Sequence, residues 1–332
     1  MKVGILAITE GGRKLAEKLA GELETAEFLA VDGGIARTLV KVWQRYDAFI
    51  CIMATGIVVR TIAPLIKDKA TDPCVLVMDE QGQHVISLLS GHLGGGNELA
   101  KLVAHLIGGT AVITTASDVL GLTSLDLWLR EQQLVIENKE HLTGTSARLV
   151  NNGYLRLYCE GGVDDALPEG LVLADRSENA DIIVSNTTGW PDDVLLCRPK
   201  NLVVGVGCNR GAQVNEFEKA LADLFTEVQL SPLSIRNLAS IDLKKDEDGL
   251  LAFAADRGWQ IDFFDKHQLN SVEGVTISPA AMKAVGAAGV AEPAALLSAQ
   301  SNELLVRKRK WQNITMAVAR ASCTLSEPAP VQ

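Results

Sequence analysis

The sequence predicts an α/β fold: an N-terminal domain on a mostly parallel sheet with helices on both faces, a small middle domain or linker, and a second α/β domain. Two observations predict it. Short apolar runs of strand length alternate with helix-length segments from the first residues onward, and the alternation weakens between about 134 and 200 before restarting at Leu202. In order, Val3 to Thr9 reads as a strand, Arg13 to Leu23 as a helix, Ala48 to Met53 as a strand and Ile57 to Ile66 as a helix. Cys74 to Met78 and Val85 to Leu89 are strands around Glu80-Gln81-Gly82-Gln83, a spacing compatible with a tight hairpin. A helix from about Gly95 to Ile107, a strand at Ala111 to Thr114 and a helix from Ser124 to Gln132 close this part. In the middle stretch Asn151-Asn152-Gly153, Gly161-Gly162, Pro168 and Thr187-Thr188-Gly189-Trp190-Pro191 interrupt the apolar runs. A buried strand at Leu202 to Gly207 then leads to helices at Asn215 to Phe225, Glu247 to Arg257, Pro279 to Ala288 and Pro293 to Ser298, and to strands at Leu304 to Val306 and Ile314 to Ala319. The expected divisions are 1–133, 134–200, 201–325 and a flexible tail at 326–332.

Composition narrows the function. The 332 residues are 47% hydrophobic and 22% charged, which is globular and long enough for more than one core. No run of eighteen apolar residues and no secretory leader pattern is present, so a cytoplasmic protein without a membrane partner is expected. A net charge of −10 argues against nucleic acid, which needs a basic face. It leaves room for an anionic small molecule held by helix N-termini and local cations such as Arg307-Lys308-Arg309-Lys310, although a solvated strand edge would read the same way. Cys51, Cys74, Cys159, Cys197, Cys208 and Cys323 form no Cys-x-x-Cys pair, and the five histidines show no His-x-x-x-His spacing. Neither a disulfide framework nor a protein metal site is expected.

The most informative stretch is Val85-Ile-Ser-Leu-Leu-Ser-Gly-His-Leu-Gly-Gly-Gly-Asn97, an apolar strand that breaks into a glycine loop and opens a helix. Glycines there admit a ligand close to the backbone, and the helix start offers unpaired N–H groups to negative charge. His92 would stand beside that charge, placed for acid–base work; a plain βα turn with a surface histidine would have the same spacing. The loop matches neither the P-loop nor the dinucleotide fingerprint. Four further polar clusters stand at predicted strand ends. In Thr55-Gly56-Ile57-Val58-Val59-Arg60, Arg60 can face a carboxylate or pair with Asp68 or Asp72. Asp79-Glu80 can serve a site or a turn. Thr114-Thr115-Ala116-Ser117-Asp118 offers ligand hydroxyls or ordinary helix caps. Gly205-Val-Gly207-Cys208-Asn209-Arg210-Gly211 is another strand-to-glycine turn, and Cys208 there reads more readily as packing than as a nucleophile. Beyond these, Ser240, Asp242 and Lys244 share one side if 239–244 is extended.

Taken together, Gly56-Ile-Val-Val-Arg60, Val85 to Ala100, Val112-Ile-Thr-Thr-Ala-Ser-Asp118, Gly205-Val-Gly-Cys208, Ala239-Ser-Ile-Asp-Leu-Lys244 and Gly289-Val-Ala-Glu-Pro-Ala-Ala-Leu296 resemble the cobalt-precorrin-5A hydrolase (CbiG) family of anaerobic cobalamin biosynthesis. The resemblance covers nearly the whole chain in family order: an N-terminal domain, a variable middle and a C-terminal domain similar to stand-alone CobE proteins. Departures are small. Gly96 stands where alanine is expected, and Asn209 and Ala212 where basic and hydroxyl residues are common. The reaction implied opens the δ-lactone of cobalt-precorrin-5A and expels C20 as acetaldehyde to leave cobalt-precorrin-5B. His92, or a nearby acid, would activate water while backbone N–H groups near Gly94, Gly95 and Gly96 hold the oxyanion, with Asp118 and Asp242 as secondary acid–base candidates. Arg60, Lys244 and Lys308 would hold substrate carboxylates, and Thr55, Gly56, Ser90, Gly91, Asn97, Thr114, Thr115, Gly207, Cys208 and Ser240 would complete the binding set. No cofactor is implied, since the cobalt belongs to the substrate. The partners are the cobalt-corrinoid intermediate and, for hand-over, neighbouring pathway enzymes. Two competing classes are a non-catalytic corrinoid carrier or pathway chaperone, and a nucleotide-binding regulator whose motifs are missing.

Overall fold

The computed structural model describes residues 1–68, 71–92, 94–163, 166–322 and 325; Leu93 of the glycine loop, Cys323 and the expected tail at 326–332 lie outside the described residues. The chain divides into two compact units, Met1–Leu127 and Trp128–Gln332. The first holds strands β1 (Val3–Ala7), β2 (Ala26–Phe28), β3 (Ala48–Ile52), β4 (Cys74–Met78), β5 (His84–Leu89) and β6 (Thr110–Val112), in the sheet order β2-β1-β3-β4-β5-β6. Its helices are α1 (Glu10–Glu22), α2 (Ile35–Val42), α3 (Thr55–Ile62), α4 (Gly96–Ile107) and α5 (Ala116–Leu120), followed by α6 (Leu125–Glu131) at the unit boundary. Successive strand side chains point to opposite faces, and both faces are covered. Ile5, Ile50 and Leu76 pack with Leu19 of α1 and Val103 of α4, whereas Leu6, Phe49 and Val75 pack with Leu39 of α2 and Val58 and Ile62 of α3.

The predicted hairpin has a consequence for function. Strands β1, β3 and β4 run parallel, but β5 returns antiparallel to β4, with Val75 opposite Leu89 and Met78 opposite Val85, and β6 runs parallel to β5. The loops after β5 and β6 therefore leave the sheet where β4 begins. The turn after β3 leaves it where β4 ends. Both Thr55-Gly56 and Ser90-Gly91-His92 follow the carboxyl end of a strand, yet they stand on opposite edges. The expectation that Thr55, Gly56 and Arg60 join His92 in one site is corrected by this reversal.

The second unit carries two sheets. The middle stretch, expected as a small domain or a linker, forms β7 (Leu134–Ile136), β8 (Leu155–Cys159), β9 (Leu171–Leu173), β10 (Ile182–Val184) and β11 (Leu195–Pro199), ordered β7-β11-β10-β8-β9, with helix α7 (Glu140–Asn152). Next come β12 (Leu202–Cys208), α8 (Val214–Glu227), β13 (Ile235–Ile241), α9 (Asp248–Ala255), β14 (Ile261–Phe264), α10 (Lys266–Asn270), α11 (Pro279–Val285), α12 (Ala291–Ala299), β15 (Leu304–Lys310) and β16 (Ile314–Arg320). Their sheet is ordered β14-β13-β12-β16-β15. Phe217 of α8 and Phe253 of α9 pack on the Val204 face, and the alanines of α12 pack on Val203 and Ala239 of the other. Small residues let α12 lie close: a Cβ on Gly205 would meet the Ala291 carbonyl oxygen at 1.8 Å. Among the described residues no helix is long and apolar enough to cross a membrane.

Two glycine substitutions separate crowding from chain entropy. Gly205→Ala is expected to lower unfolding stability by about 1–3 kcal/mol, because backbone must move. Gly144→Ala, in α7 with nothing within 4 Å of the new methyl, raises it by about 0.5–1 kcal/mol. Urea unfolding midpoints read both.

Candidate functional site

The glycine loop is shaped by its own hydrogen bonds. Ser90 takes the left-handed region at φ 54° and its hydroxyl donates to the Asp72 carbonyl at 3.3 Å. The Asn97 amide donates to the Gly91 carbonyl at 2.9 Å, that of Gly96 to Ser90 at 3.3 Å and that of Gly95 to His92 at 2.9 Å. Gly91 has to be glycine, since a Cβ there would stand 2.5 Å from Asn97 Oδ1. These bonds correct the expected oxyanion hole: the amides of Gly95 and Gly96 are engaged inside the loop. Helix α4 accordingly begins at Gly96, with Gly95 left-handed before it.

The loop delivers His92 to the end of β6. Its Nε2 is 2.6 Å from Asp118 Oδ2 and 3.3 Å from the Ser117 hydroxyl. Asn97 Nδ2 donates to the same Asp118 oxygen at 3.0 Å and to Thr115 Oγ1 at 3.1 Å. Neither Ser117 nor Asp118 caps α5: Thr115 is the residue before the helix and makes no side-chain cap bond, so the two first-turn side chains are available to the imidazole. On the other ring nitrogen, Nδ1 faces Asp126 Oδ1 at 3.9 Å. The three groups keep about a fifth of their side-chain surface, with His92 at 20%, Asp118 at 22% and Asp126 at 17%. A ligand can therefore reach them. Thr114, one residue earlier, is exposed.

Sequence reasoning did not find Asp126. It falls in the first turn of a predicted helix, two residues after Ser124, where an acid reads as helix-start chemistry. Its carboxylate does accept from the Ser124 hydroxyl at 2.7 Å and the Leu127 amide at 3.0 Å, so the local signal is real and masks the tertiary one.

On the opposite edge, Arg60 donates to the Gly56 carbonyl at 2.9 Å and makes no ion pair among the described residues; Asp72 instead accepts the Lys67 and Asp68 amides. A shallow cleft there is lined by Thr9, Thr55, Glu80 and His84 among apolar neighbours. Glu80 accepts from the Thr9 hydroxyl at 2.8 Å.

In the second unit, a cavity of about 230 Å³ gathers Gly207, Cys208, Lys244, Lys308 and Lys310, together with Trp311, Asn313 and Thr315 that sequence reasoning left out. The basic run on β15 is thus more than a solvated edge: Lys308 and Lys310 line the cavity, while Arg309 pairs outward with Glu227. The expected Ser240-Asp242-Lys244 face does not form. The strand ends at Ile241 and a 3-10 turn covers Asp242–Lys244, which breaks the alternation. Ser240 is fully buried and donates to the Val206 carbonyl at 2.7 Å, and Asp242 is absent from the cavity wall. Lys244 is buried against Glu247 at 2.8 Å. Burial works against the Glu247 charge, but Lys244 and the Gly211 amide outweigh it and hold the carboxyl below its ordinary range. Burial likewise pushes the Cys208 thiol up to about 11, so it is a wall rather than a thiolate.

Glu292 fastens this wall. It is 2% exposed and accepts from the Thr276 amide and hydroxyl and from the Lys308 amide. Burial disfavours its charge, yet these bonds prevail and its carboxyl lies below the usual 4.5.

A carboxylate-held imidazole, with a separate lysine-lined cavity, is the equipment of an α/β enzyme for an anionic substrate. The family described as Cobalamin synthesis G N-terminal matches residues 37–118, and Cobalamin synthesis G C-terminus matches residues 202–319. The cobalt-precorrin-5A hydrolase of Priestia megaterium is 34% identical over 350 aligned positions, covering 95% of this chain and 94% of that protein. That of Salmonella typhimurium is 32% identical over 343, covering 96% and 97%. Protein CobE of Sinorhizobium sp is 29% identical over 137, covering 40% of this chain and 82% of that one. The chain belongs to the cobalt-precorrin-5A hydrolase family, enzymes of cobalamin biosynthesis.

A carboxyl whose pKa is lower folded than unfolded contributes stability above its unfolded value, and that stability is lost as pH falls through the folded one. Glu292→Gln is therefore expected to be less stable than wild type at pH 7 and to lose less on acidification below about pH 4.5. Unfolding midpoints across the acid range check the crossover of slopes.

Proposed function

We propose that this chain hydrolyses the δ-lactone of cobalt-precorrin-5A and releases C20 as acetaldehyde, giving cobalt-precorrin-5B, with His92 as the base and Asp118 as its partner. The observation that carries this reading is the 2.6 Å contact between His92 Nε2 and Asp118, itself held by Asn97, at an accessible sheet edge. An ionised carboxylate only accepts, so it fixes the imidazole proton on Nε2 and leaves the Nδ1 lone pair to take a proton. In the first step water adds to the lactone carbonyl and the ester C–O bond breaks, leaving the C20 oxygen as a hydroxyl. In the second, that hydroxyl loses its proton to the base, its oxygen becomes the carbonyl of acetaldehyde, and the bond from C20 to the macrocycle breaks. The electron pair of that bond passes to the macrocycle. Both steps need a base near one oxygen, so one imidazole can serve both.

The cobalt arrives with the substrate, and a cytoplasmic enzyme with no cofactor of its own suffices. The substrate's many peripheral carboxylates suit scattered cations. The second unit's cavity of about 230 Å³ is below the range of roughly 300–1,000 Å³ in which ligand pockets enclose a whole small molecule, so it suits a single acidic group, held by Lys308 and Lys310. Neighbouring pathway enzymes would supply and remove the intermediate.

Acetaldehyde release from cobalt-precorrin-5A is the direct test. His92→Ala is expected to lose on the order of 10²–10⁴-fold in rate, the usual worth of a positioned base. Asp118→Asn loses on the order of 10²-fold or more, because an amide can impose the wrong tautomer. Wild-type release by His92→Ala sinks the assignment; accumulation of lactone-opened, uncleaved product moves His92 to the second step alone. Tight substrate binding with no acetaldehyde from the wild type would make the chain a carrier.

A further inference from the structure

We infer that Asp126 is a second catalytic carboxylate of the His92 site, and that the lytic water is bound between Asp126 Oδ1 and His92 Nδ1. The inference rests on His92 being the base. With the proton of the ring fixed on Nε2 by Asp118, Nδ1 presents a lone pair. It faces Asp126 Oδ1, also an acceptor, at 3.9 Å, which is beyond hydrogen-bond distance. Two acceptors at that spacing share no proton of their own. A water has two, and at about 2.8 Å from each it donates one to Nδ1 and one to the carboxylate, with the angle at its oxygen close to a right angle. Its lone pairs then point away from both groups, where a lactone carbonyl can be met.

Asp126 is built to stay in place. The Ser124 hydroxyl and the Leu127 amide both donate to Oδ1, at 2.7 and 3.0 Å, so the carboxylate is oriented before substrate arrives. In the lactone step the water oxygen bonds to the carbonyl carbon while its proton passes to Nδ1, and Asp118 stabilises the imidazolium. The ester C–O bond breaks, and Nδ1 returns that proton to the departing C20 oxygen. The other water proton, directed by Asp126, stays on the new carboxylic acid and dissociates. No co-reactant is needed.

The structural alternative is that Asp126 only organises the start of α6. Asp126→Asn separates the two, because the amide keeps an oxygen for Ser124 and Leu127 but loses the charge. It is expected to unfold cooperatively as a folded protein, while kcat for lactone opening, followed as the mass of opened product, falls about 10-fold with KM unchanged. Asp126→Ala, which removes the water's acceptor, falls about 10²-fold. In both, the unreacted substrate keeps its lactone and no opened, uncleaved intermediate builds up beyond the wild-type level. If folded Asp126→Asn opens the lactone at the wild-type rate, or changes only KM, while His92→Ala is inactive, this inference fails and the base reading stands. If His92→Ala is also fully active, the base reading itself fails.

Discussion

The antiparallel return of β5 on β4 is the constraint on which the functional geometry of the first unit depends. Asp79 enforces it. Its two carboxylate oxygens accept the amides of Gln81, Gln83 and His84 across the turn. Partial burial disfavours the charge, but these amides outweigh that and hold the carboxyl below its ordinary range. In an all-parallel sheet the loops after β3, β5 and β6 would crowd onto one edge. The hairpin sends the last two to the other edge, where the His92 loop meets the β6–α5 connection and brings a histidine and two aspartates together from positions up to 34 apart.

That centre shows how close approach and polar satisfaction are coupled. The imidazole is held on Nε2 by Asp118, Asp118 by Asn97, and Asn97 by the room that Gly91 leaves for it. Each member orients the next, so the ring arrives with its direction set. Two of the backbone amides that might have served an oxyanion, those of Gly95 and Gly96, close the loop instead.

The second unit solves a different problem. Its lysine-lined cavity lies over a strand end where the α12 alanines and Gly205 allow backbone to approach backbone, and Glu292 ties α12, the Thr276 segment and β15 together. Lys244 is paired with Glu247 within the wall, while Lys308 and Lys310 also line the cavity.

Much of the fold was legible in the residues. Apolar strand-length runs, the hairpin spacing and the glycine loop with its histidine are local patterns, and each element they mark has its counterpart in the structure. Those patterns, together with motifs in family order, determined the α/β class, the family and His92 as the leading candidate. The middle sheet was not legible, because three of its strands have only three residues and turns interrupt the rest, leaving too little periodicity. Nor was the partnership of residues. Ser240 and Lys244 looked alike on paper, yet a 3-10 turn buries one in the sheet and pairs the other with Glu247; Asp126 looked like a helix-start acid and proves to face Nδ1. Only the tertiary structure decided which edge Thr55, Arg60 and His92 occupy. Strand direction is a property of pairing between distant segments, and no local pattern encodes what a side chain meets across the sheet.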